Sequence, residues 1–511
     1  MAGGHHPPER LAQLPGRPHG VGGMSDARKI LVLGGGPAGY VAALRAAQLG
    51  AAVSLVEARQ VGGTCLNRGC IPTKSLVASV ERLRHARDSA AFGVLADGVG
   101  VDFAAMMTRK AAATTQLRGG VEQLLKARKV EVVAGRGRLL GPDRIEVILD
   151  TGEVRPPADP AAPEPDRGVV ATRELTGDAV ILATGSEPVR LPVFDFSDPR
   201  ITTSDELLEI DHVPESLVVV GGGVIGCEFA AVFAELGTKV TVVEMLDQLL
   251  PGEERRVGVA LLQAFKKAGI EVRVKTRVEE TIAAPGSSRT VGDDVALRLS
   301  DGSEVCGKVV LVGVGRRPLT RGMGFEEAGV GIDERGFVVV DETLRTAVDG
   351  VFAAGDVAGP PLLAHWAYHE GAVAADNAVT GGRRAVDRRI VPNCVFTHPE
   401  VASFGINEEV AKTEGLEVTV SQVRLKGNSK AVVEGESDGF VRIVSARDSG
   451  VILGASLVGL HVTELVHELA LAARAGLTLD DLAATIHAHP TLSEAIAEAA
   501  LSGLGRGLHT L

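Results

Sequence analysis

An α/β fold, with two Rossmann-like domains and a separate α+β domain at the C-terminal end, is predicted by three observations. The first is an internal repeat. Residues 29–57 (KILVLGGGPAGYVAALRAAQLGAAVSLVE) align without a gap on residues 216–244 (SLVVVGGGVIGCEFAAVFAELGTKVTVVE), with 12 identities over 29 positions. Each copy reads as a short apolar strand, a glycine-rich turn, an Ala-rich helix closed by Leu-Gly and a second strand ending in Glu. The second observation is a further apolar strand, Val309 to Gly315, leading into GVGRRP. The third is a change of pattern after about residue 390. There strand-like runs (Phe440 to Val444, Val451 to Val458) lead into Ala- and Leu-rich helices from Thr463 onward.

Composition bounds the rest. A length of 511 residues suggests three or four domains. Hydrophobic residues make up 45% and charged residues 23%, enough apolar material for several cores. A net charge of −12 argues against a broad basic face for nucleic acid. The five cysteines, odd in number, do not read as a secreted disulfide framework. The sequence has no apolar run long enough to span a membrane, and residues 1–27 lack the apolar segment of a secretory signal. A cytoplasmic protein is therefore expected, in which a close Cys pair is catalytic rather than structural. Residues 1–23, rich in Gly, Pro and His, read as a disordered tail or as translated sequence upstream of a start at Met24, in preference to a metal site at His5 and His6. Residues 155–168 read as an exposed loop.

The glycines of each repeat have separate tasks. Gly34 permits the tight turn, Gly36 lets the backbone approach a pyrophosphate, and Gly39 lets helix and strand pack closely. Gly221, Gly223 and Gly226 repeat the pattern. The helix N-terminus offers free N–H groups to phosphate. Glu57 and Glu244 each lie 23 positions after the first glycine, where a carboxylate accepts hydrogen bonds from ribose hydroxyls. The chain thus carries two dinucleotide-binding domains. A 2′-phosphate beside Glu244 would meet a like charge, so the second site is read as one for NAD.

Directly after the first unit stands GGTCLNRGCIPTK, residues 62–74, with Cys65 and Cys70 separated by four residues. On spacing, such a pair could be a metal half-site or two unrelated thiols, but no second Cys/His pair sits at ligand spacing, and no metal is expected. Behind a nucleotide fingerprint it resembles the redox-disulfide motif of the flavoprotein disulfide reductases, and the resemblance runs from about Lys29 to His509. That resemblance implies FAD in the first unit and NAD in the second. It implies that Cys65 exchanges with substrate thiols and that Cys70 faces the flavin. Lys74 would stand beside the flavin, paired with Glu228. Gly63, Thr64, Gly137, Gly185, Asp356 and Ala364 would complete the FAD site. The run Thr346 to Asp356 (TAVDGVFAAGD) resembles the family's second FAD motif, and Ala183-Thr184-Gly185 its crossover between domains. Gly222, Val224, Ile225, Val278 and Gly315 would join Glu244 at NAD. The implied division is a tail at 1–27, an FAD-binding domain at 28–190 and 313–385, an NAD-binding domain at 191–312 and a C-terminal dimerisation domain at 386–511. Cys227, Cys306 and Cys394 read as ordinary buried thiols.

Two thiols must lose protons in such a reaction, and a His near neutrality suits that task. Near the C-terminus stands His487-Ala488-His489-Pro490-Thr491-Leu492-Ser493-Glu494. Pro490 reads as the first residue of a helix, with His489 just before it and Glu494 reaching back to orient the ring. The segment resembles the family's HPTLSE motif, whose His and Glu come from the opposite subunit. That implies a homodimer. His487 reads as structural, and His365, His369, His398, His461 and His467 carry no comparable context, although Leu362-Leu363-Ala364-His365 resembles a flavin-contacting loop.

Within the family, Val224 stands where glutathione reductases carry a gating Tyr, and the chain lacks the terminal Cys pair of mercuric reductases. Both departures favour the branch that oxidises dihydrolipoamide. The partner would then be a lipoyl-bearing acyltransferase of a 2-oxoacid dehydrogenase complex or a glycine-cleavage H protein. Trp366, where many relatives have Lys, is expected near the flavin. Two other readings are a mainly structural subunit of a larger assembly, and a diaphorase that needs only flavin and NADH.

Overall fold

The computed structural model describes residues 27–149, 171–282 and 294–509. The 1–27 tail, save Ala27, and the 155–168 loop expected from composition lie outside the described residues.

The first repeat forms the strand Lys29–Leu33, the helix Pro37–Gln48 and the strand Ala52–Glu57. The second forms Ser216–Val220, Val224–Glu235 and Lys239–Val243, so its last strand stops one residue short of Glu244. Both strand pairs are parallel and in the same register, Lys29 opposite Ala52 and Ser216 opposite Lys239. The strands are buried on both faces, as continuous Val/Ile/Leu runs require.

The first sheet has seven strands. Val351–Ala353, Ala179–Leu182, Lys29–Leu33, Ala52–Glu57 and Glu131–Gly141 run parallel, and Arg144–Leu149 and Thr172–Thr176 extend it antiparallel. The second sheet has five parallel strands in the order Glu271–Arg273, Lys239–Val243, Ser216–Val220, Val309–Val312, Ile201–Thr202. The chain passes between the two sheets twice. Where it does so, Ser186–Pro188 pairs antiparallel with Arg316–Pro318. The second sheet therefore grows out of an insertion in the first.

The last sheet is antiparallel and orders Asn393–Val395, Glu400–Gly405, Ile452–Gly459, Phe440–Ala446 and Val418–Arg424. Helices Val462–Arg474, Leu479–Ala484 and Glu494–Gly503 pack on it around Leu457, Val466, Leu469 and Ile496.

Three expectations need correction. Cys306 is exposed. It sits on Glu304–Gly307 in a three-stranded antiparallel sheet, where alternation sends Val305 inward and Cys306 out. Pro490 does not start a helix. The last helix begins at Glu494, because that carboxylate captures the Thr491 N–H at 2.8 Å and Thr491 Oγ1 donates to the Ala488 carbonyl at 2.7 Å, holding 488–491 as a turn. Trp366 is buried, 4% exposed, with Arg388 over its ring at 5.8 Å. On the Ala364–Thr380 helix, Ala364, Ala367 and Tyr368 point toward the cavity described below, and Trp366 lies on the other face.

Candidate active site

Both glycine turns open on one cavity of about 2000 Å³. That is roughly twice the upper end for an ordinary ligand pocket. Gly34 and Gly221 turn the chain at φ +103° and +108°, and a Cβ on either would strike the carbonyl of Ala183 or Gly313 at 2.2 or 2.5 Å. Gly39 and Gly226 lie behind the wall, where a Cβ would meet the carbonyl of Gly34 or Gly221 at 1.8 or 1.9 Å. They set helix against strand and do not line the cavity. Gly36 and Gly223 cap the two helices and face open space, their nearest Cβ contact being 3.9 Å for Gly36 and none for Gly223. Each leaves room for a phosphate at a helix N-terminus.

The two acidic residues are held alike. Glu57 accepts from the N–H of Gly35 and of Arg59, each at 2.7 Å. Glu244 accepts from Gly222 at 2.6 Å and Leu246 at 2.7 Å. Gly222 thus serves Glu244 and does not itself line the cavity. With their backbone bonds made, both carboxylates keep lone pairs for ribose hydroxyls. The arrangement fits a dinucleotide at each site. Glu244→Gln removes the charge and keeps one of the two backbone hydrogen bonds, so the kcat/KM preference for NAD⁺ over NADP⁺ should narrow by about tenfold or more. A wild-type preference for NADP⁺ would overturn this assignment.

Cys65 and Cys70 lie in the same wall. Gly62–Gly63 opens a short helix carrying Cys65, and Cys70 is the first residue of the helix Cys70–Asp88. The two thiols are hydrogen-bonded to each other, and that bond makes them unlike. Cys65 is pushed up, first by this hydrogen bond and then by burial. Cys70 is drawn down, chiefly by accepting from Cys65, with Lys74 and its own backbone N–H helping against burial. A thiol at a helix N-terminus beside a cation is where a thiolate is favoured.

Lys74 Nζ donates to both oxygens of Glu228 at 2.7 Å and lies 4.7 Å from the centroid of Phe396. Glu228, 3% exposed, also accepts from the Phe396 N–H at 3.0 Å. Three units of the chain meet in that group. Gly63, Thr64, Gly137, Gly185, Val224, Ile225, Val278, Gly315, Asp356 and Ala364 line the same cavity.

Several groups were not apparent from the sequence. Arg316 donates to the Ser186 Oγ at 2.8 Å and carbonyl at 2.7 Å, and Ser186 donates in turn to Asp356. The crossover between sheets therefore fixes Asp356. Glu370, its carboxyl pushed up to about 7 by burial, accepts the N–H of neighbouring Gly355 at 2.8 Å. His365 and His467 also line the cavity. Both tyrosines of the chain, Tyr40 and Tyr368, pack on each other at 5.9 Å between ring centroids, and Tyr368 lines the cavity. The signal for Tyr368 was its helical phase, three residues before Gly371 in a helix flush against Ala38.

His489 and Glu494 are elsewhere. They do not line the cavity, and the His489 side chain is 70% exposed. Glu494 Oε1 lies 2.8 Å from His489 Nδ1. The Thr491 N–H first and the His489 ring second hold the Glu494 carboxyl below its ordinary range. His487 is bound at Nε2 to Glu468 at 2.8 Å and at Nδ1 to the Thr485 carbonyl at 3.0 Å.

Comparison with known proteins agrees along the chain. Residues 28–371 match the pyridine nucleotide-disulphide oxidoreductase family, and residues 391–500 its dimerisation domain. A dihydrolipoyl dehydrogenase of Geobacillus stearothermophilus is 39% identical over 96% of this chain and 99% of its own. One from Haloferax volcanii is 41% identical, with the same two coverages of 96% and 99%. Among solved structures, LpdA of Mycobacterium tuberculosis superposes with a TM-score of 0.83 at 30% identity, over 93% of this chain and 99% of its own. The HOCl-induced flavoprotein disulfide reductase RclA of Escherichia coli gives 0.79 at 27% identity, over 92% and 99%.

Proposed function

This chain belongs to the pyridine nucleotide-disulphide oxidoreductase family, and from that premise we propose that it oxidises protein-bound dihydrolipoamide to lipoamide and reduces NAD⁺ to NADH. The observation that carries the reading is the pair Cys65 and Cys70, set with Lys74 in the wall of a cavity that both nucleotide turns share.

The first unit would hold FAD through Gly34, Gly36, Glu57, Asp356 and Lys74, and the second NAD through Gly221, Gly223 and Glu244. Bound FAD supplies a two-electron path from the Cys pair to NAD⁺. The chain's own residues carry out the thiol chemistry. With the pair oxidised, a substrate thiol gives its proton to His489 and its thiolate attacks the Cys65 sulfur. The bond between Cys65 and Cys70 breaks, and its electron pair goes to Cys70. The helix N-terminus and Lys74 hold that charge. The second substrate thiol attacks the substrate sulfur joined to Cys65 and gives up its own proton. Lipoamide closes, and Cys65 leaves with the electron pair and takes up a proton.

Within one chain His489 faces solvent, so in this reading it serves the site of a second copy. The active form is therefore a homodimer, in keeping with the dimerisation domain at 391–500. Glu494 orients the imidazole and stabilises its cation. The lipoyl group would arrive on an acyltransferase of a 2-oxoacid dehydrogenase complex or on a glycine-cleavage H protein, and the setting would be the cytoplasm. The described helices include none long and apolar enough to cross a membrane.

The test is substrate choice. Protein loaded with FAD should form NADH from free dihydrolipoamide and should leave glutathione disulfide untouched when offered NADH or NADPH. Reduction of glutathione disulfide at the higher rate would overturn the reading.

A further inference from the structure

Glu370 is a buried carboxylate that the thiol steps do not use. It lies on the Ala364–Thr380 helix, is 0% exposed and does not line the large cavity. One of its oxygens accepts the Gly355 N–H at 2.8 Å, and the other accepts from the Arg388 guanidinium at 3.2 Å. Gly355 turns the chain at φ +77°, directly before Asp356. It is wedged there, since a Cβ would lie 2.9 Å from the Ala38 side chain and 3.3 Å from that of Ala367. Gly371, next to Glu370, presses on the same residue, and a Cβ on it would lie 2.2 Å from the Ala38 carbonyl. Ala38, Gly355 and Ala367 belong to three separate segments, and all three line the cavity. Glu370 therefore stands behind the point where three walls of the flavin site meet.

We propose that Glu370 is a positioning residue for FAD, whose ionised carboxylate holds the Gly355 N–H, and with it Asp356, and loosens that hold when it takes up a proton. A hydrogen bond to a charged acceptor is roughly twice as strong as one to a neutral acceptor. Arg388 occupies the second oxygen, so a proton arriving there also breaks the ion pair. Glu370 makes no contact with the flavin itself. It acts through the Gly355 turn and the Asp356 side chain that this turn presents.

Burial pushes the Glu370 carboxyl up to about 7, against the Gly355 N–H and Arg388, which draw it down. Its charge therefore changes near neutrality. Arg388, from the segment ahead of the last sheet, is the charged group that faces it. Asp356 is bonded to Ser186, and His369 packs on Trp366 at 5.6 Å between ring centroids. The Pro37–Gln48 helix brings the uncharged Ala38 to this contact. Because the form that holds FAD is the ionised one, bound FAD draws the carboxyl down further. Affinity for FAD is then full above about 7 and falls as the pH drops below it.

The proposal rests on FAD occupying the first unit, and its test is chosen to fail separately. The holoenzyme is held in bromide at a concentration that frees part of its FAD. The flavin retained after ultrafiltration is read by absorbance between about pH 6 and about pH 8. In wild type the apparent affinity for FAD should fall by about three- to tenfold toward the acid end, one pKa unit being worth a factor of ten. Glu370→Gln keeps an oxygen for Gly355 but carries no charge, so it should hold FAD at the lower level throughout, with no pH dependence. Arg388 lies outside the cavity lining, and Arg388→Met should move the midpoint to higher pH, because the cation opposing protonation is gone. Wild-type affinity that is the same at every pH would overturn the proposal. So would a wild-type profile in Glu370→Gln, or an unmoved midpoint in Arg388→Met, which decides the matter alone where Glu370→Gln does not fold. Protein that holds no flavin at any pH would instead sink the FAD assignment of the first unit.

Discussion

Cys70→Ser should lower dihydrolipoamide-dependent NADH formation by more than about 10⁴-fold, the scale seen when a covalent nucleophile is removed. A serine oxygen cannot form the disulfide that accepts the substrate's electrons, so the whole exchange is lost rather than slowed. NADH-driven reduction of an artificial acceptor should remain within a few-fold of wild type, because it draws on the nucleotide sites and not on the thiols. The fold should also persist. Cys70 begins a helix whose first turn buries Thr73 and Pro72, and serine at that position keeps the backbone bonds. The measurement is steady-state NADH absorbance with each substrate in turn. If the variant kept substantial dihydrolipoamide turnover, the Cys pair would not be the reaction centre. If it lost the artificial acceptor as well, Cys70 would be supporting the nucleotide sites instead.

His489→Gln should lower dihydrolipoamide turnover by about 10²–10⁴-fold, the contribution of a positioned general base. The artificial acceptor should again be spared, since it requires no proton from a thiol. Glu494→Gln should show a milder loss of the same kind. It keeps the imidazole but removes the charge that orients it across 2.8 Å, and it keeps an oxygen for the Thr491 N–H. The exposed position of His489 adds a sharper expectation. Mixing Cys65→Ser with His489→Gln subunits under exchange conditions should restore activity, because each heterodimer then carries one intact site. Subunit exchange proven by mass with no recovered turnover would place the imidazole in its own chain's site. Equal losses with both acceptors in His489→Gln would withdraw the acid–base role.

What the sequence made legible was whatever local pattern determines. Two glycine turns with a Glu at identical spacing gave two units with the same strand register and the same pair of backbone bonds at the Glu. The Cys pair and the His489–Glu494 contact were readable because each lies within one short segment. The corrections and omissions come from longer range. Pro490 is a good first helical residue, but the Glu494 carboxylate binds the backbone three residues ahead and delays the helix. Trp366 and Tyr368 sit two apart on one helix and so face different ways; placing either at the cavity requires the helix phase, which the sequence leaves open near Leu363. Cys306 looks apolar by its neighbours and is turned outward by strand alternation. The meeting of Tyr40 with Tyr368 depends on a crossing set by Gly371, far along the chain. The fixing of Asp356 by Ser186 and Arg316 depends on two separate passages between sheets.

Those passages have a consequence for the order in which the molecule can be completed. The strand Val351–Ala353 pairs with Ala179–Leu182, and residues 183–350 intervene. On the ribosome, at roughly 5–20 residues per second, the gap lasts on the order of ten to thirty seconds. Through that interval Ala179–Leu182 presents a bare parallel edge, the kind of surface that invites pairing with another chain. The inserted sheet, by contrast, has its five strands by Val312. The unit synthesised first is therefore finished only after the unit inserted in it, and its open edge is still bare when the inserted sheet has all five strands.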